Sequence, residues 1–303
     1  MAKVVYLGPS GTFTEAAARA AFPDPHHRFV ELSSVPDVLE AAEADSDVYG
    51  VVPVENSIEG SVTLTLDWLI HHVNVPIVAE WVLPVRQHLL AAEQTARLGF
   101  DAVEVVLSHP HAIAQCREFL RRQLPGAQIR YTSSTAEAAR LVAEHPDCPW
   151  VAVGTRLAAE RYGLAVLAGP IQDFAHNETR FFVVGQSAYP YQGARVKTTL
   201  LITLPHDYPG ALYQVLAAFA WRKLNLTRIE SRPTRRGLGS YHFMIDVERP
   251  LGDVLLPGAI AEIQALGCAV RVLGSYPCFT AGDEGVRTAV DVSSSSSYNE
   301  PKS

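Results

Sequence analysis

Four short polar loops carry the groups most suited to binding an anion. They lie at residues 8–15, 53–61, 108–111 and 133–136, each between a predicted strand and a predicted helix. Glycine lets backbone N–H groups approach a ligand closely, and the positive end of a helix favours a carboxylate or phosphate. Any one loop could be an ordinary helix cap. Four of them in one stretch of chain favour a single cleft at the carboxyl edge of a sheet.

A fifth junction, at residues 177–181, places a hydroxyl beside a guanidinium. Thr179 and Arg180 stand directly before a strongly apolar strand, so they supply a neutral donor and a charged fork of donors side by side. A β-branched strand residue next to a surface arginine is the alternative interpretation. Residues 1–189 carry 13 basic and 22 acidic side chains, so an anionic ligand there would depend on local donors rather than on net charge.

Other candidate groups are less suited to catalysis. His109 and His111 have metal-ligand spacing, but no nearby carboxylate or cysteine completes a set, so no metal site is predicted. Glu55 and Glu59 have helical spacing, which predicts a capping and solvated face. Cys116 lies in an amphipathic helix and is expected to pack in the core. The sequence has neither a nucleophile elbow nor a dinucleotide-binding glycine motif.

Composition excludes several classes of protein. The net charge is −7 and the basic residues are not clustered, which argues against nucleic-acid binding. No apolar run approaches the ~18 residues that a membrane span requires. Lys3 is the only lysine before residue 197, which rules out Schiff-base chemistry and a GxxxxGK phosphate loop in that region. Four scattered cysteines and a short apolar N-terminus predict a reduced, cytoplasmic protein.

Predicted strands alternate with predicted helices along residues 1–189, and the loops described above connect them. The predicted strands are at residues 3–7, 28–32, 48–54, 103–107, 128–132, 150–153 and 180–185. The predicted helices are at residues 14–22, 35–44, 62–72, 112–124, 136–144 and 156–162. Strands that alternate with helices predict an α/β fold with mostly parallel sheets. Two extended runs in residues 75–90, broken at Pro84, predict a crossover between two lobes, with a return near 170–185.

The second part of the chain has a different order of elements. Residues 190–197 have the composition of a linker. Over 198–276 the predicted order is βαββαβ, with strands at 198–204, 226–233, 240–248 and 269–276 and helices at 209–221 and 254–266. That order is the ferredoxin-like arrangement. Residues 277–303 include five consecutive serines and are expected to be a disordered tail.

Five motifs in residues 1–189 together resemble the prephenate dehydratase domain. They are GPSGTFTEAA at 8–17, PVENSIEGSV at 53–62, SHPHAIAQC at 108–116, SSTAEAA at 133–139 and NETRFFVVG at 177–185. PGAL at 209–212 and NLTRIESRP at 225–233 resemble the regulatory ACT domain that follows it in these enzymes. No helical chorismate-mutase segment precedes Met1, so the resemblance is to the monofunctional form.

The resemblance implies two α/β lobes, similar to type II periplasmic binding proteins, with the site between them. It implies a reaction without metal or cofactor, in which prephenate loses carbon dioxide and its ring hydroxyl to give phenylpyruvate. By its position in the motif, Thr179 is the residue for which the resemblance implies assistance to the departing hydroxyl. The family often has His-Pro-Gln where this chain has His109-Pro110-His111. The substrate-binding residues that the resemblance implies are Ser10, Gly11, Thr12, Glu55, Asn56, Ser57, Ser134, Thr135, Asn177, Arg180 and Phe181.

For the ACT domain, the resemblance implies feedback inhibition by L-phenylalanine bound at an interface between two copies of the chain. Residues 209–212 open a predicted helix whose N–H groups suit the carboxylate of an amino acid. An interface site implies at least a homodimer, and a homotetramer is compatible with it. The effector-binding residues that the resemblance implies are Pro209, Gly210, Ala211, Leu212, Asn225, Glu230, Ser231, Arg232 and Pro233.

Two alternatives remain open from the sequence. Arogenate bears an amino group where prephenate has a keto group, and nothing in the residues decides between these substrates. A non-catalytic amino-acid sensor on the same fold is the second alternative, and the intact Thr179-Arg180-Phe181 triplet argues against it. A periplasmic solute-binding protein would share the lobes but is expected to carry an export signal, which the N-terminal residues do not show.

Overall fold

The computed structural model describes residues 2–235, 237, 239–282 and 288–289, and the chain divides into two compact units between Gln186 and Ser187. The elements of the first unit are, in order, β1 (Lys3–Leu7), α1 (Phe13–Ala21), β2 (Arg28–Leu32), α2 (Val35–Ala44), β3 (Val48–Asn56), β4 (Gly60–Ser61), α3 (Thr63–His71), β5 (Ile77–Pro84), β6 (His88–Ala91), α4 (Glu93–Leu98), a 3-10 turn (Phe100–Ala102), β7 (Val105–Ser108), α5 (Pro110–Gln115), α6 (Arg117–Gln123), β8 (Gln128–Tyr131), α7 (Thr135–Glu144), β9 (Trp150–Gly154), α8 (Arg156–Tyr162), β10 (Ala165–Ala168) and β11 (Glu178–Val184).

The first lobe of this unit is built on five strands in the order β5–β11–β3–β1–β2, and the short β4 pairs with the end of β3. The strand β1 runs parallel to both β2 and β3. The last strand, β11, lies antiparallel between β3 and β5. The chain therefore leaves this lobe after β5 and returns to it through β11.

The second lobe is a five-stranded sheet in the order β10–β6–β9–β7–β8. Successive residues of a strand point to opposite faces of a sheet. Leu89 and Val106 accordingly join one buried apolar cluster, with α5 and α6, while Leu90 and Leu107 join another, with α7 and α8. Helices thus cover both faces, and the carboxyl ends of the parallel strands β7 and β9 are left facing the first lobe's loops.

The predicted helix over 112–124 is wrong, because the structure has two helices there, α5 and α6, separated at Cys116. The carboxylate of Asp173 accepts hydrogen bonds from the backbone N–H groups of Glu118 (3.0 Å) and Phe119 (3.4 Å). These are two of the N–H groups that lack a partner within a helix at its start. A side chain from a distant loop therefore caps a second helix start. The strands β4 and β10 and the helix α4 were not predicted.

The second unit contains β12 (Tyr191–Gln192), β13 (Arg195–Thr203), α9 (Ala211–Ala220), β14 (Leu226–Pro233), β15 (Tyr241–Val247), α10 (Leu255–Ala265), β16 (Ala269–Thr280) and β17 (Thr288–Ala289). Four antiparallel strands form its sheet in the order β14–β15–β13–β16, and α9 and α10 cover it through a common apolar cluster. The predicted βαββαβ order and mixed α/β class are confirmed. No helix among the described residues combines the length and apolar character that a membrane crossing requires.

The boundaries of this unit differ from the prediction at both ends. The expected linker over 190–197 is partly strand, because Arg195, Val196 and Lys197 pair with residues 276–278 of β16. That pairing also extends β16 to Thr280, so the expected disordered tail is wrong for residues 277–280. The strand Thr288–Ala289 pairs with Tyr191–Gln192. The remaining residues of the expected tail, apart from 281 and 282, lie outside the described part of the chain.

Candidate active site

A cavity of about 300 Å³ lies between the two lobes of the first unit. Its walls are the first turns of α1, α5 and α7, the ends of β3 and β11, and the crossover between β5 and β6. The lining residues include Thr12, Phe13, Thr14, Asn56, Glu59, Gln87, His109, His111, Gln115, Ser133, Ser134, Thr135 and Thr179. A larger groove, of about 540 Å³, is lined mainly by apolar side chains of α5 and α6 and holds none of the predicted site residues.

Two helices, α1 of the first lobe and α7 of the second, begin at this cavity. Thr12 caps α1 by accepting a hydrogen bond from the N–H of Glu15 (3.5 Å). Ser134 caps α7 in the same way, accepting from the N–H of Glu137 (3.0 Å). Each helix start presents backbone donors and the positive end of a dipole. The cavity is therefore suited to a ligand with two separated negative groups.

Ser10 and Gly11 do not line the cavity, although they belong to the same predicted loop. The hydroxyl of Ser10 bonds to Tyr6 (2.8 Å) and to the carboxylate of Glu31. Gly11 has φ +93°, and a Cβ there would lie 3.2 Å from the Cβ of Ala158. Its carbonyl accepts from the Thr155 hydroxyl (2.6 Å). Gly11 is needed for close contact between the lobes rather than for contact with a ligand.

Thr179 and Asn56 meet at the end of the β3–β11 ladder. They are directly opposed in register, and the Nδ2 of Asn56 donates to the Oγ1 of Thr179 (2.9 Å). The Oδ1 of Asn56 accepts from the N–H groups of Ile58 (3.0 Å) and Glu59 (3.1 Å), which fixes the orientation of the amide. Because Thr179 accepts from Asn56, its own hydroxyl hydrogen is available to a ligand. In the described part of the chain no other group takes that hydrogen.

Asn177 and Ser57 stand behind Asn56 and do not line the cavity. The Oδ1 of Asn177 accepts from the Nδ2 of Asn56 (2.8 Å), and Asn177 is only 1% exposed. The hydroxyl of Ser57 accepts from the N–H of Glu178 (3.0 Å). Both side chains therefore hold the turn that carries Asn56. The Nδ2 of Asn177 is buried without a hydrogen-bond partner among the described residues.

Arg180 and Glu55 are not brought to the cavity. Neighbouring residues in a strand point to opposite faces, so Arg180 faces away from Thr179. Its guanidinium lies 3.4 Å from Glu55 and 3.7 Å from Glu80, whose side chain is 2% exposed. Phe181, which is also absent from the lining, is 1% exposed in the core. In this structure the guanidinium of Arg180 pairs with the buried carboxylate of Glu80 and does not line the cavity.

Glu59, Gln115 and Gln87 are among the cavity residues that were missed or misjudged from the sequence. Glu59 was predicted to lie on a solvated helical face, but it follows β3 in a turn and points across the cleft. Its carboxylate lies 2.5 Å from the Nδ1 of His111 and accepts from the Nε2 of Gln115 (3.0 Å). His111, which stands where the family often has glutamine, was a signal in the sequence that this wall of the cavity carries different side chains. Gln87 lies in the extended crossover, where no motif marks it.

The imidazole of His109 is also part of this wall. Burial holds its pKa below the usual value, the neighbouring His111 lowers it further, and Glu59 opposes the shift. The expectation that no carboxylate lies near the two histidines is wrong, because Glu59 of the other lobe contacts His111. Within the described residues, no group of three or more histidine, cysteine, aspartate or glutamate side chains is arranged to hold a metal ion.

The predicted effector residues all belong to the second unit. Gly210 caps α9 with φ +92°, and residues 209–212 form the start of that helix. Glu230, Ser231, Arg232 and Pro233 end β14, which is an edge strand of the sheet. The side chain of Asn225 donates to Glu248 (2.8 Å). The two predicted segments are thus a helix start and an exposed strand end.

The first unit has two α/β lobes with a cavity suited to a dianion, and the second unit has the order βαββαβ. Together these features define an α/β enzyme with a C-terminal ACT domain. The sequence models of two families match the chain, Prephenate dehydratase over residues 4–189 and ACT domain over residues 198–263. The chain belongs to the prephenate dehydratase family.

Individual relatives and solved structures are similar to this chain over most of its length. Prephenate dehydratase of Bacillus subtilis (strain 168) is 43% identical, over 91% of this chain and 99% of its own. The crystal structure of prephenate dehydratase from Arthrobacter aurescens in complex with L-Phe is 36% identical, with a TM-score of 0.79 over 91% of this chain and 90% of that one. A structure described as GqqA, a novel type of quorum quenching acylase, is 27% identical, with a TM-score of 0.80 over 91% of this chain and 98% of that one.

Proposed function

We propose that this protein converts prephenate to phenylpyruvate by decarboxylating dehydration and that L-phenylalanine inhibits it. The observation that carries the proposal is the Thr179 hydroxyl, oriented by Asn56 toward a cavity where α1 and α7 begin. Prephenate has two carboxylates and one ring hydroxyl. The two helix starts match the carboxylates, and Thr179 matches the hydroxyl.

The reaction needs little more than positioning and one donor. The bond from the ring to its carboxylate breaks and releases carbon dioxide, and the electron pair enters the ring. The bond from the ring to the hydroxyl breaks as well, and the departing hydroxide takes up one proton from solvent to leave as water. Formation of the aromatic ring drives both bond cleavages.

Thr179 assists the departing oxygen by donating a hydrogen bond to it. A threonine hydroxyl is too weak an acid to give up its proton, so stabilisation of the developing negative charge is its role. Removal of one such donor costs about 10²–10³-fold in turnover in comparable sites. Asn56 supports this role because its amide occupies the acceptor side of the Thr179 oxygen.

Regulation is assigned to the second unit. The start of α9 offers N–H donors to the carboxylate of phenylalanine, and the Arthrobacter relative was crystallised in complex with L-Phe. The effector site formed by residues 209–212, Asn225 and residues 230–233 extends over an interface between two copies of the chain. The protein is accordingly at least a homodimer, and it acts in the cytoplasm.

A product assay separates this function from the alternatives. Purified protein is incubated with prephenate and with arogenate, and the products are identified by mass spectrometry. Phenylpyruvate from prephenate supports the proposal. Phenylalanine from arogenate alone would make the protein an arogenate dehydratase, and no product from either substrate would favour the non-catalytic amino-acid sensor.

A further inference from the structure

Gln87 is a buried polar residue in the wall of the inter-lobe cavity. It lies in the crossover between β5 and β6 and is 3% exposed. Its backbone N–H donates to the Oε1 of Gln172 (3.0 Å). Its side-chain Oε1, in contrast, is buried with no hydrogen-bond partner among the described residues. Buried polar atoms are nearly always paired, so an unpaired acceptor at a cavity wall points to a ligand that supplies the donor.

The orientation of the Gln87 amide is fixed by a chain of hydrogen bonds that begins in the first lobe. A carboxylate such as Glu59 can only accept, so the Nε2 of Gln115 must face it (3.0 Å). This leaves the Oε1 of Gln115 as the acceptor for the Nε2 of Gln87 (3.4 Å). Gln87 is therefore held with its Oε1 unpaired among the described residues, and the group that it can offer a ligand is an acceptor rather than a donor.

We propose that Gln87 contacts the substrate and accepts a hydrogen bond from its ring hydroxyl, an inference that rests on the proposed function. At neutral pH, prephenate carries two carboxylates and a keto group, all acceptors, so the ring hydroxyl is its single donor. Thr179 donates to the oxygen of this hydroxyl and Gln87 accepts its hydrogen. The hydroxyl is thereby oriented with an oxygen lone pair toward Thr179.

The same contact distinguishes substrate from product. Phenylpyruvate in its keto form has no donor group, so after the reaction the Oε1 of Gln87 loses its partner. An unpaired buried acceptor disfavours the product complex. Gln87 thus selects for the hydroxylated ring and weakens binding of the aromatic product.

The test uses two ring-saturated analogues of prephenate, which cannot aromatise, one with the hydroxyl and one without it. Their dissociation constants are measured by calorimetry for the full-length wild type, Gln87→Met and Gln87→Glu. We expect the wild type to bind the hydroxylated analogue about tenfold more tightly than the deoxy analogue. Gln87→Met should lose this preference, and it should bind the deoxy analogue more tightly than the wild type does, because it leaves no unpaired acceptor against that ligand.

Gln87→Glu keeps an acceptor oxygen and provides the second variant. It should bind both dianionic analogues more weakly because of its charge, yet retain the preference for the hydroxyl. An equal preference in wild type and Gln87→Met, or loss of preference in Gln87→Glu, would overturn the assignment.

A third comparison uses the amino counterparts of both analogues, which carry an ammonium in place of the keto group. If Gln87→Met changes only the discrimination between ammonium and keto groups, the donor is the ammonium and the hydroxyl assignment is wrong. Failure of the wild type to bind any analogue would instead reject the proposed function, and this inference with it.

Discussion

The amide of Asn56 donates a 2.9 Å hydrogen bond to the hydroxyl oxygen of Thr179, its direct partner across the β3–β11 ladder. Opposed residues of an antiparallel pair share one face of the sheet. The backbone therefore places both groups at the cavity before any ligand binds. Because Asn56 occupies a lone pair of the Thr179 oxygen, the hydroxyl acts toward the cavity as a donor.

Asn56→Asp tests this orientation. The aspartate keeps an acceptor for the N–H groups of Ile58 and Glu59 but has no donor for Thr179. We expect kcat/KM for prephenate to fall about 10²-fold, because the donor direction of Thr179 is lost and a negative charge enters the cavity. Steady-state kinetics measures the change, and Asn74→Asp, at an exposed position, is the matched control. Wild-type kinetics in Asn56→Asp would show that the amide has no part in the reaction.

Arg180→Lys separates a structural role from a substrate-binding role. The guanidinium lies between Glu55 and the buried Glu80, at 3.4 and 3.7 Å, and a lysine cannot serve both carboxylates with one point charge. We expect a lower thermal midpoint and an unchanged KM for prephenate in the folded protein. Calorimetry and initial rates measure the two effects. A large rise in KM without loss of stability would show that Arg180 binds the substrate.

Gly210→Val tests the effector site without truncating the chain. Gly210 has φ +92° and no atom near its would-be Cβ, so the substitution acts through the backbone rather than through a clash. The left-handed conformation costs a non-glycine residue about 1–2 kcal/mol. We expect the loop before α9 to rearrange and inhibition by L-phenylalanine to weaken about tenfold or more, at normal uninhibited activity. Gly252→Val, in an uncrowded loop of the same unit, should stay inhibited. Equal inhibition in both variants would contradict the assigned effector site.

Cys116 should not react with thiol reagents in the native protein. It is fully buried between α5 and α6, and burial, with a smaller contribution from Asp173, raises the pKa of its thiol to about 12. Cys268 and Cys278 are buried as well, and Cys148 is partly exposed. We therefore expect labelling at pH 8 to modify Cys148 alone, with the other three following on unfolding. Peptide mass mapping identifies the sites, and rapid native labelling of Cys116 would show that the second lobe opens at its core.

Local patterns predicted much of the framework. The predicted bounds of β1, β2, α2, α8 and β14 match those of the structure, because turn or capping residues close in sequence delimit these elements. The loops at the starts of α1 and α7 were found for the same reason. In both cases the determining residues are neighbours in sequence.

The parts that were missed depend on partners far away in sequence. Asp173, about 55 positions along the chain, caps the start of α6 within the predicted helix over 112–124. Glu59 meets His111 and Gln115 only once the lobes are assembled. The pairing of Arg180 with Glu80 requires the β11–β5 register. Such contacts have no local sequence pattern, so only the folded chain reveals them.

The most direct test is the rate of phenylpyruvate formation from prephenate by wild type, Thr179→Ser and Thr179→Val. Valine keeps the shape of threonine without its hydroxyl, and Thr95→Val removes a buried hydroxyl elsewhere in the same unit as a control. We expect Thr179→Val to lose about 10²-fold or more in kcat, while Thr179→Ser and Thr95→Val retain most activity. Turnover by Thr179→Val at the wild-type rate would contradict the proposed role of the Thr179 hydroxyl.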